Sequence, residues 1–182
     1  MVTLIAGVFL WFFGHLFGRI LPSLRAKLGM PGKGIMALVL ILSIYLMHQG
    51  YSSISPIVFW DRHPALVGIN NLLVLIAVYL FVASGFKPWI SGKIRHLQLS
   101  GFKAWAIAHI LVNGDSSSFI LFGGLLIWSV VQLIIINKQD GKPALPSVSI
   151  QPFKEILAVL STFVVYFLIS TVHQGLGYPV FG

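Results

Sequence analysis

The six histidines are the residues of this sequence that are suited to catalysis or metal binding. Cysteine is absent, and the four acidic residues lie in predicted loops or at the ends of apolar stretches, so thiolate chemistry and a buried carboxylate pair are excluded. No serine–histidine–aspartate arrangement, phosphate-binding loop or zinc-protease motif occurs. Neutral imidazole ligates transition metals and exchanges protons near neutral pH. The elements that position the histidines therefore decide what the chain can do.

The composition predicts a membrane protein. Hydrophobic residues make up 57% of the 182 residues and charged residues 9%, with a mean hydropathy of +0.94, whereas a soluble domain carries about 25% charged residues. This excludes a soluble enzyme, a disordered protein and a nucleic-acid-binding protein. Since a crossing helix needs about 20 apolar residues, we predict an all-α polytopic membrane helix bundle, a single domain over 1–182. It has about six transmembrane helices with the fourth short, at residues 2–20, 34–53, 65–86, 102–112, 119–136 and 153–175.

The positive charges predict the topology. Of the 12 lysines and arginines, eleven fall in alternate connections if the short fourth stretch also crosses, and the other is Arg62 beside Asp61. Because cytoplasmic loops are rich in Lys and Arg, we predict six crossings in a bacterial inner membrane, with periplasmic termini and basic loops against anionic lipid. The first stretch lacks a basic leader and is expected to remain as an anchor. Pro22, Pro31 and Gly32 are expected to break the chain after it.

His15 and His109 are predicted to ligate a b-type haem near the cytoplasmic side. At about 1.5 Å per residue, His15 lies about 6 Å before Arg19, and His109 lies about 9 Å after Lys103 on a span of opposite direction. Two neutral imidazoles at one depth suit the two faces of a haem iron, and small residues beside both would let a flat macrocycle approach. The alternative role of each histidine is interhelical hydrogen bonding, and Trp105 is expected to pack rather than to line the cofactor.

Two further sets of residues belong to the predicted sites. Arg19 and Arg95, at the basic ends of the histidine-bearing spans, are predicted to pair with haem propionates, with cytoplasmic anchoring as the alternative. His48 and His173 are predicted near the outer face and His63 in an outer connection, where together they could form a second metal or haem site. The alternative is that these outer histidines are hydrated and bind nothing. Substitution of His48 or His173 is expected to leave the first haem in place.

Several blocks of the sequence resemble the NnrU family. They are residues 13–19, 22–29, 94–98 and 103–114, with His173 and residues 181–182 at the end of the chain. That family includes zeta-carotene isomerase, an integral membrane b-haem enzyme of plants and cyanobacteria, and its bacterial members are associated with denitrification. The resemblance implies that His15 and His109 match the haem ligands. The sequence departs from the family at Ala106, where the isomerase has a cysteine implicated in a ligand change, and at Leu97, where proline is usual.

The residues leave three functions open. The first is a haem b protein with redox or cis–trans isomerase-type chemistry, acting on a carotenoid or another apolar substrate. The second is an electron-transfer or nitric-oxide-linked accessory protein of denitrification, working with a respiratory complex. The third is a haem-free structural subunit that contacts membrane lipids and other membrane subunits. Whether iron keeps both axial ligands or releases one distinguishes electron transfer from isomerase chemistry.

Overall fold

The computed structural model describes residues 1–142 and 144–181, so Pro143, in the predicted linker before the last span, and Gly182 lie outside the described residues. Six helices occur within these ranges, and five of them are long and apolar enough to cross a membrane. The fourth has 16 residues and is shorter. The prediction of an all-α membrane protein with about six helices, the fourth short, is confirmed. The helices are α1 Val2–Ile20, α2 Pro22–Ser52, α3 Pro64–Phe86, α4 Leu97–Val112, α5 Ser116–Gln139 and α6 Pro152–Gly175.

The connection between α1 and α2 differs from the predicted break. Only Leu21 separates the two helices, and Pro22 is the first residue of α2, where its missing N–H has no intrahelical partner to lose. Pro31 lies inside α2, and the backbone leaves helical geometry at Gly29, with φ 54° and ψ −140°. A φ of this sign favours glycine. The basic residues before the second apolar span therefore lie on a helical segment and not in a loop.

The described residues divide into two compact units. Unit 1 contains Met1–Trp60 and Gly114–Ile135, and unit 2 contains Asp61–Asn113 and the described residues from Ile136 onward. Unit 1 holds α1, α2, most of α5 and two short paired strands, β1 Val58–Trp60 and β2 Gly114–Asp115. Unit 2 holds α3, α4 and α6.

In unit 1, α1 and α2 pack closely in antiparallel directions through small residues. Gly50 lies against Leu4, Gly7 against Ser43 and Met47, and Gly14 against Leu40. The Ser43 hydroxyl, which is fully buried, donates a hydrogen bond of 2.8 Å to the Gly7 carbonyl. Small residues let helix backbones approach in a membrane, where no hydrophobic force drives helices together. This contact fixes the register of α1, and with it the level of His15.

Gly50→Ala should destabilise the protein by about 1–3 kcal/mol, the usual cost of overpacking. A Cβ at this position would lie 2.7 Å from the Leu4 Cα, so the α1 backbone must move. We expect a lower midpoint of thermal unfolding in detergent. Gly34→Ala, also in α2, is the matched control, because a Cβ there meets nothing within 4 Å and alanine favours the helix. Equal midpoints for the two variants would contradict the packing account.

In unit 2, α3 forms antiparallel pairs with both α4 and α6. Gly101 of α4 lies against the Ala77 carbonyl, and Leu97 packs with Leu80 and Ala83 of α3. A hydrogen bond links the start of α6 to the segment that follows α3. The Trp89 N–H donates to the Glu155 carboxylate at 2.7 Å. At the other end of α3, the Asn71 side chain donates to the Val180 carbonyl at 3.1 Å.

Large apolar side chains are exposed along these helices. Phe9 is 68% exposed, Leu38 is 67% exposed and Phe153 is 77% exposed. Water disfavours such a surface, whereas lipid tails do not, so these faces fit contact with membrane lipid. Apolar surface of this extent agrees with a chain that crosses the bilayer.

Candidate functional site

His15 lies in α1 of unit 1 with its ring orientation fixed by its own helix. Its Nδ1 lies 3.0 Å from the carbonyl oxygen of Trp11, one turn earlier. The Trp11 ring packs on the imidazole with centroids 4.2 Å apart, and Trp128 of α5 contacts it edge-on at 4.7 Å. The half-buried imidazole is thus held between two indoles.

His109 in α4 of unit 2 has the same local arrangement. Its Nδ1 lies 2.9 Å from the carbonyl oxygen of Trp105, one turn earlier, and the two rings have centroids 4.9 Å apart. Both histidines therefore end a Trp-x-x-x-His segment of helix. Trp105 packs on the imidazole of His109.

The two hydrogen bonds select the nitrogen that could bind a metal. A carbonyl oxygen only accepts, so Nδ1 of each ring must carry the proton, and in a neutral imidazole the lone pair then lies on Nε2. Histidines that ligate metals usually donate their other N–H in this way, which orients the ring and raises its basicity. The donor chemistry of each ring by itself, His15 in unit 1 and His109 in unit 2, therefore fits ligation of a metal through Nε2.

His173, in the last turn of α6, lies beside His109. The two ring centroids are 6.5 Å apart, and the Nδ1 of His173 also bonds a carbonyl one turn earlier, that of Ile169, at 3.0 Å. The depths predicted from the sequence, about 9 Å for His109 and about 28 Å for His173, would keep the two rings apart, so the two values are not both correct. Part of the reason is that α4 begins at Leu97 and not near Lys103, so His109 lies about 18 Å from the first residue of its helix, about 9 Å farther than predicted.

The other predicted outer histidines make different bonds. The His63 Nδ1 accepts a hydrogen bond from the Ala65 N–H at 3.2 Å and caps α3, so its neutral ring carries the proton on Nε2. The His48 carbonyl accepts a bond from the Ser52 hydroxyl. Across the described residues, no group of three or more His, Asp and Glu side chains could hold a metal ion. The second site of His48, His63 and His173 stays a prediction.

One comparison with known proteins identifies the family. The family model described as NnrU protein matches residues 3–180, nearly the whole chain. The chain belongs to the NnrU family. No curated protein and no solved structure matches it.

The two predicted propionate partners of this NnrU protein differ in position. Arg19 lies in the last turn of α1, one turn beyond His15, and is half-buried. Arg95 is exposed and precedes α4 by two residues, so it lies about 20 Å from His109 along the helix axis. The predicted pairing of Arg95 with a haem propionate stays a prediction.

One residue beside His15 in this NnrU protein was not indicated by the sequence alone, Trp128 of α5. Gln132, one turn later in α5, has a buried Oε1 without a hydrogen-bond partner among the described residues. The shared Trp-x-x-x-His spacing at Trp11 and Trp105 was the available signal for the indole beside each imidazole. No periodicity links α5 to His15, because that contact depends on tertiary packing.

Proposed function

We propose that this NnrU protein is an integral membrane haem b protein in which the side chains of His15 and His109 would hold the haem. The observation that carries the proposal is that both histidines hold Nδ1 on the carbonyl of a tryptophan one turn earlier. This leaves the Nε2 lone pair of each neutral ring as the ligating atom. The family match over residues 3–180 includes both histidines, and the resemblance described above implies the same pair.

The surrounding side chains would orient the ligands and exclude water. Trp11 and Trp128 pack on His15, and Trp105 packs on His109, so neither ring rotates without displacing an indole. The carbonyl bonds make Nε2 more basic, which strengthens its bond to a metal. When bound, haem supplies one-electron redox chemistry at its iron.

The two candidate activities differ in whether both histidines stay bound to the iron. Two permanent imidazoles suit electron transfer, including an accessory role in nitrogen-oxide metabolism beside a respiratory complex. Isomerase-type chemistry on an apolar substrate, such as a carotenoid, requires one axial position to open. The position of His173 beside His109 favours an exchangeable ligand, so isomerase-type chemistry is kept as the second candidate.

Absorption spectra of the purified protein, oxidised and then reduced with dithionite, test the proposal. We expect a Soret band that shifts on reduction, sharp α and β bands, and a pyridine haemochrome of the b type. A protein that is well folded in detergent, was expressed with haem supplied, and shows no Soret band would refute it. That result would favour the haem-free structural subunit.

The proposed topology places the basic segments in the cytoplasm and both termini outside, in a bacterial inner membrane. The absence of native cysteine allows a direct test, since one introduced cysteine is the only thiol to label. In intact cells, Lys33→Cys and Lys142→Cys should resist an impermeant maleimide and react only after lysis. Asp61→Cys, in an outer connection, should react without lysis. Labelling of either lysine position in intact cells contradicts the topology.

Arg19→Gln should lower the reduction potential of the haem by tens of millivolts. Loss of a cation near the propionates favours the more positive ferric state, and a tenfold change in a one-electron equilibrium is about 59 mV. Arg95→Gln, at the other predicted propionate partner, should change the potential less, because Arg95 lies about 20 Å from His109 along the helix axis. Spectroelectrochemical titration of both variants measures the effect. An unchanged potential in Arg19→Gln would leave cytoplasmic anchoring as the role of Arg19.

A further inference from the structure

The described residues that follow α6 turn back across one end of unit 2. The Tyr178 N–H donates to the His173 carbonyl at 2.9 Å, which closes α6 and reverses the chain. Two residues later, the Val180 carbonyl accepts a hydrogen bond from the Asn71 side chain of α3 at 3.1 Å. Residues 176–181, called the strap below, therefore join the end of α6 to the start of α3.

The strap crosses the end of unit 2 at which His109 lies. The antiparallel helices α3 and α4 meet where Gly101 lies against the Ala77 carbonyl. His109 lies eight residues beyond Gly101, or about 12 Å along α4. Asn70 lies seven residues before Ala77, or about 10 Å along α3, so it reaches the level of His109. His173, whose carbonyl holds the strap, has its ring centroid 6.5 Å from that of His109.

Asn70 has a buried acceptor beside the residue that anchors the strap. Its Nδ2 donates to the Asn71 Oδ1 at 3.1 Å, whereas its own Oδ1 is buried and has no hydrogen-bond partner among the described residues. Burial of an unpaired amide oxygen is costly, and a donor molecule that reaches the oxygen lowers that cost. For such a molecule to enter, this end of unit 2 must open.

The contacts that hold the strap are weak. The hydrogen bond from the Arg62 guanidinium to the Val180 carbonyl is 3.4 Å long, beyond the usual range of about 2.7–3.2 Å. Leu176 is 68% exposed and Phe181 is 59% exposed, so little apolar burial holds the strap in place. Segments with few buried apolar contacts and exposed hydrogen bonds open at a low cost in free energy.

We propose that the strap opens and closes over the end of unit 2 at which Asn70, His109 and His173 lie, and so controls the access of small polar molecules to it. Opening breaks the hydrogen bonds to the Val180 carbonyl and turns the chain at Gly177, whose φ of 84° favours glycine. That these molecules reach a haem ligand rests on the proposed function, whereas the movement of the strap does not.

Thiol labelling tests the movement directly, because the chain has no native cysteine. In Asn70→Cys, purified in detergent, the thiol lies beside the anchor of the strap and should react slowly with a hydrophilic maleimide. Adding Asn71→Ala removes a bond to the strap and should raise the rate about tenfold, because the rate follows the population of the open form. Amide hydrogen exchange at Tyr178 makes the same comparison in a chain that keeps Asn70, and should also be faster in Asn71→Ala.

Two glycines provide a matched pair of variants at the other end of the strap. A Cβ at Gly177 or at Gly175 meets nothing within 4 Å, so the two positions differ in backbone conformation and not in space. Gly177→Ala strains the positive φ and should accelerate the labelling of Asn70→Cys severalfold. Gly175→Ala, in the last turn of α6, should leave the rate unchanged.

Ala83→Cys controls for unfolding of unit 2, since Ala83 is fully buried near the other end of α3, and its slow rate should not respond to Asn71→Ala. The inference is overturned if neither Asn71→Ala nor Gly177→Ala accelerates the labelling of Asn70→Cys. It is also overturned if Asn70→Cys reacts from the outset as fast as the exposed Asp61→Cys. Equal acceleration at Ala83→Cys would mean that unit 2 unfolds as a whole and that no separate strap moves. These rates need no haem, so they are decided independently of the proposed function.

Discussion

Replacing His15 with alanine should lower the haem content of the purified protein about tenfold or more, because loss of even an outer partner of a metal ligand typically lowers metal affinity about 10–100-fold. Unit 1 offers no substitute imidazole. Gly14 lies against Leu40, whereas His48 lies eight residues further along α2, or about 12 Å. The pyridine haemochrome per mole of protein measures the loss. His15 thus differs from His109, which has His173 beside it.

His48→Ala is the matched control for His15→Ala, since it removes the other histidine of unit 1 from the same pair of helices. It should retain full haem. Imidazole added during purification should restore haem to His15→Ala, because the free ligand can occupy the vacated position. Full haem content in His15→Ala without added imidazole would remove His15 from the ligand set.

Asp115→Ala should destabilise unit 1 by about 2–4 kcal/mol, the sum of a lost helix cap and a buried hydroxyl left without its acceptor. One carboxylate oxygen accepts from the Ser118 N–H at 2.9 Å, and the other accepts from the Ser118 hydroxyl at 2.7 Å. Ser118 is fully buried and in turn accepts from the Tyr51 hydroxyl at 2.8 Å. The carboxylate therefore ties the start of α5 to the end of α2.

Thermal unfolding in detergent should show a midpoint about 5–15 °C lower for Asp115→Ala, as expected for a chain of this length. Asp115→Asn should lose less, because the amide oxygen still accepts from the Ser118 N–H. Asp61→Ala, which removes an exposed carboxylate, is the control and should unfold near the wild-type midpoint. A midpoint for Asp115→Ala equal to that of Asp61→Ala would show that the hydrogen bonds around Ser118 contribute little.

Apolar length predicted the long helices well, because a crossing helix must satisfy its backbone internally and its extent follows the lipid. Residues 2–20 coincide with α1, and residues 153–175 differ from α6 by one position. The same rule failed where lipid does not set the boundary. α4 begins five residues before its predicted start of 102, in a segment of mixed apolar and polar residues that precedes the apolar stretch.

The features of the candidate site that depend on spacing within one helix could be predicted from the sequence. Those that depend on contacts between helices could not. His15 and His109 stood out as ionisable residues in apolar spans, and their Trp-x-x-x-His spacing predicts the contact of each indole with its imidazole. The pairing of His109 with His173 could not be read from spacing, because it joins residues 64 positions apart and depends on where α4 begins. An error of a few residues at that boundary moved His109 by about 9 Å.

EPR of the oxidised wild-type protein, with iron and haem quantified in the same sample, tests the central claim most directly. Two imidazole ligands make ferric haem low-spin, so the account predicts one b-type haem per chain with a low-spin ferric signal and no substantial high-spin component. A stoichiometric haem with a high-spin signal would contradict ligation by two histidines. A folded, haem-supplemented protein without bound haem would contradict the account as a whole.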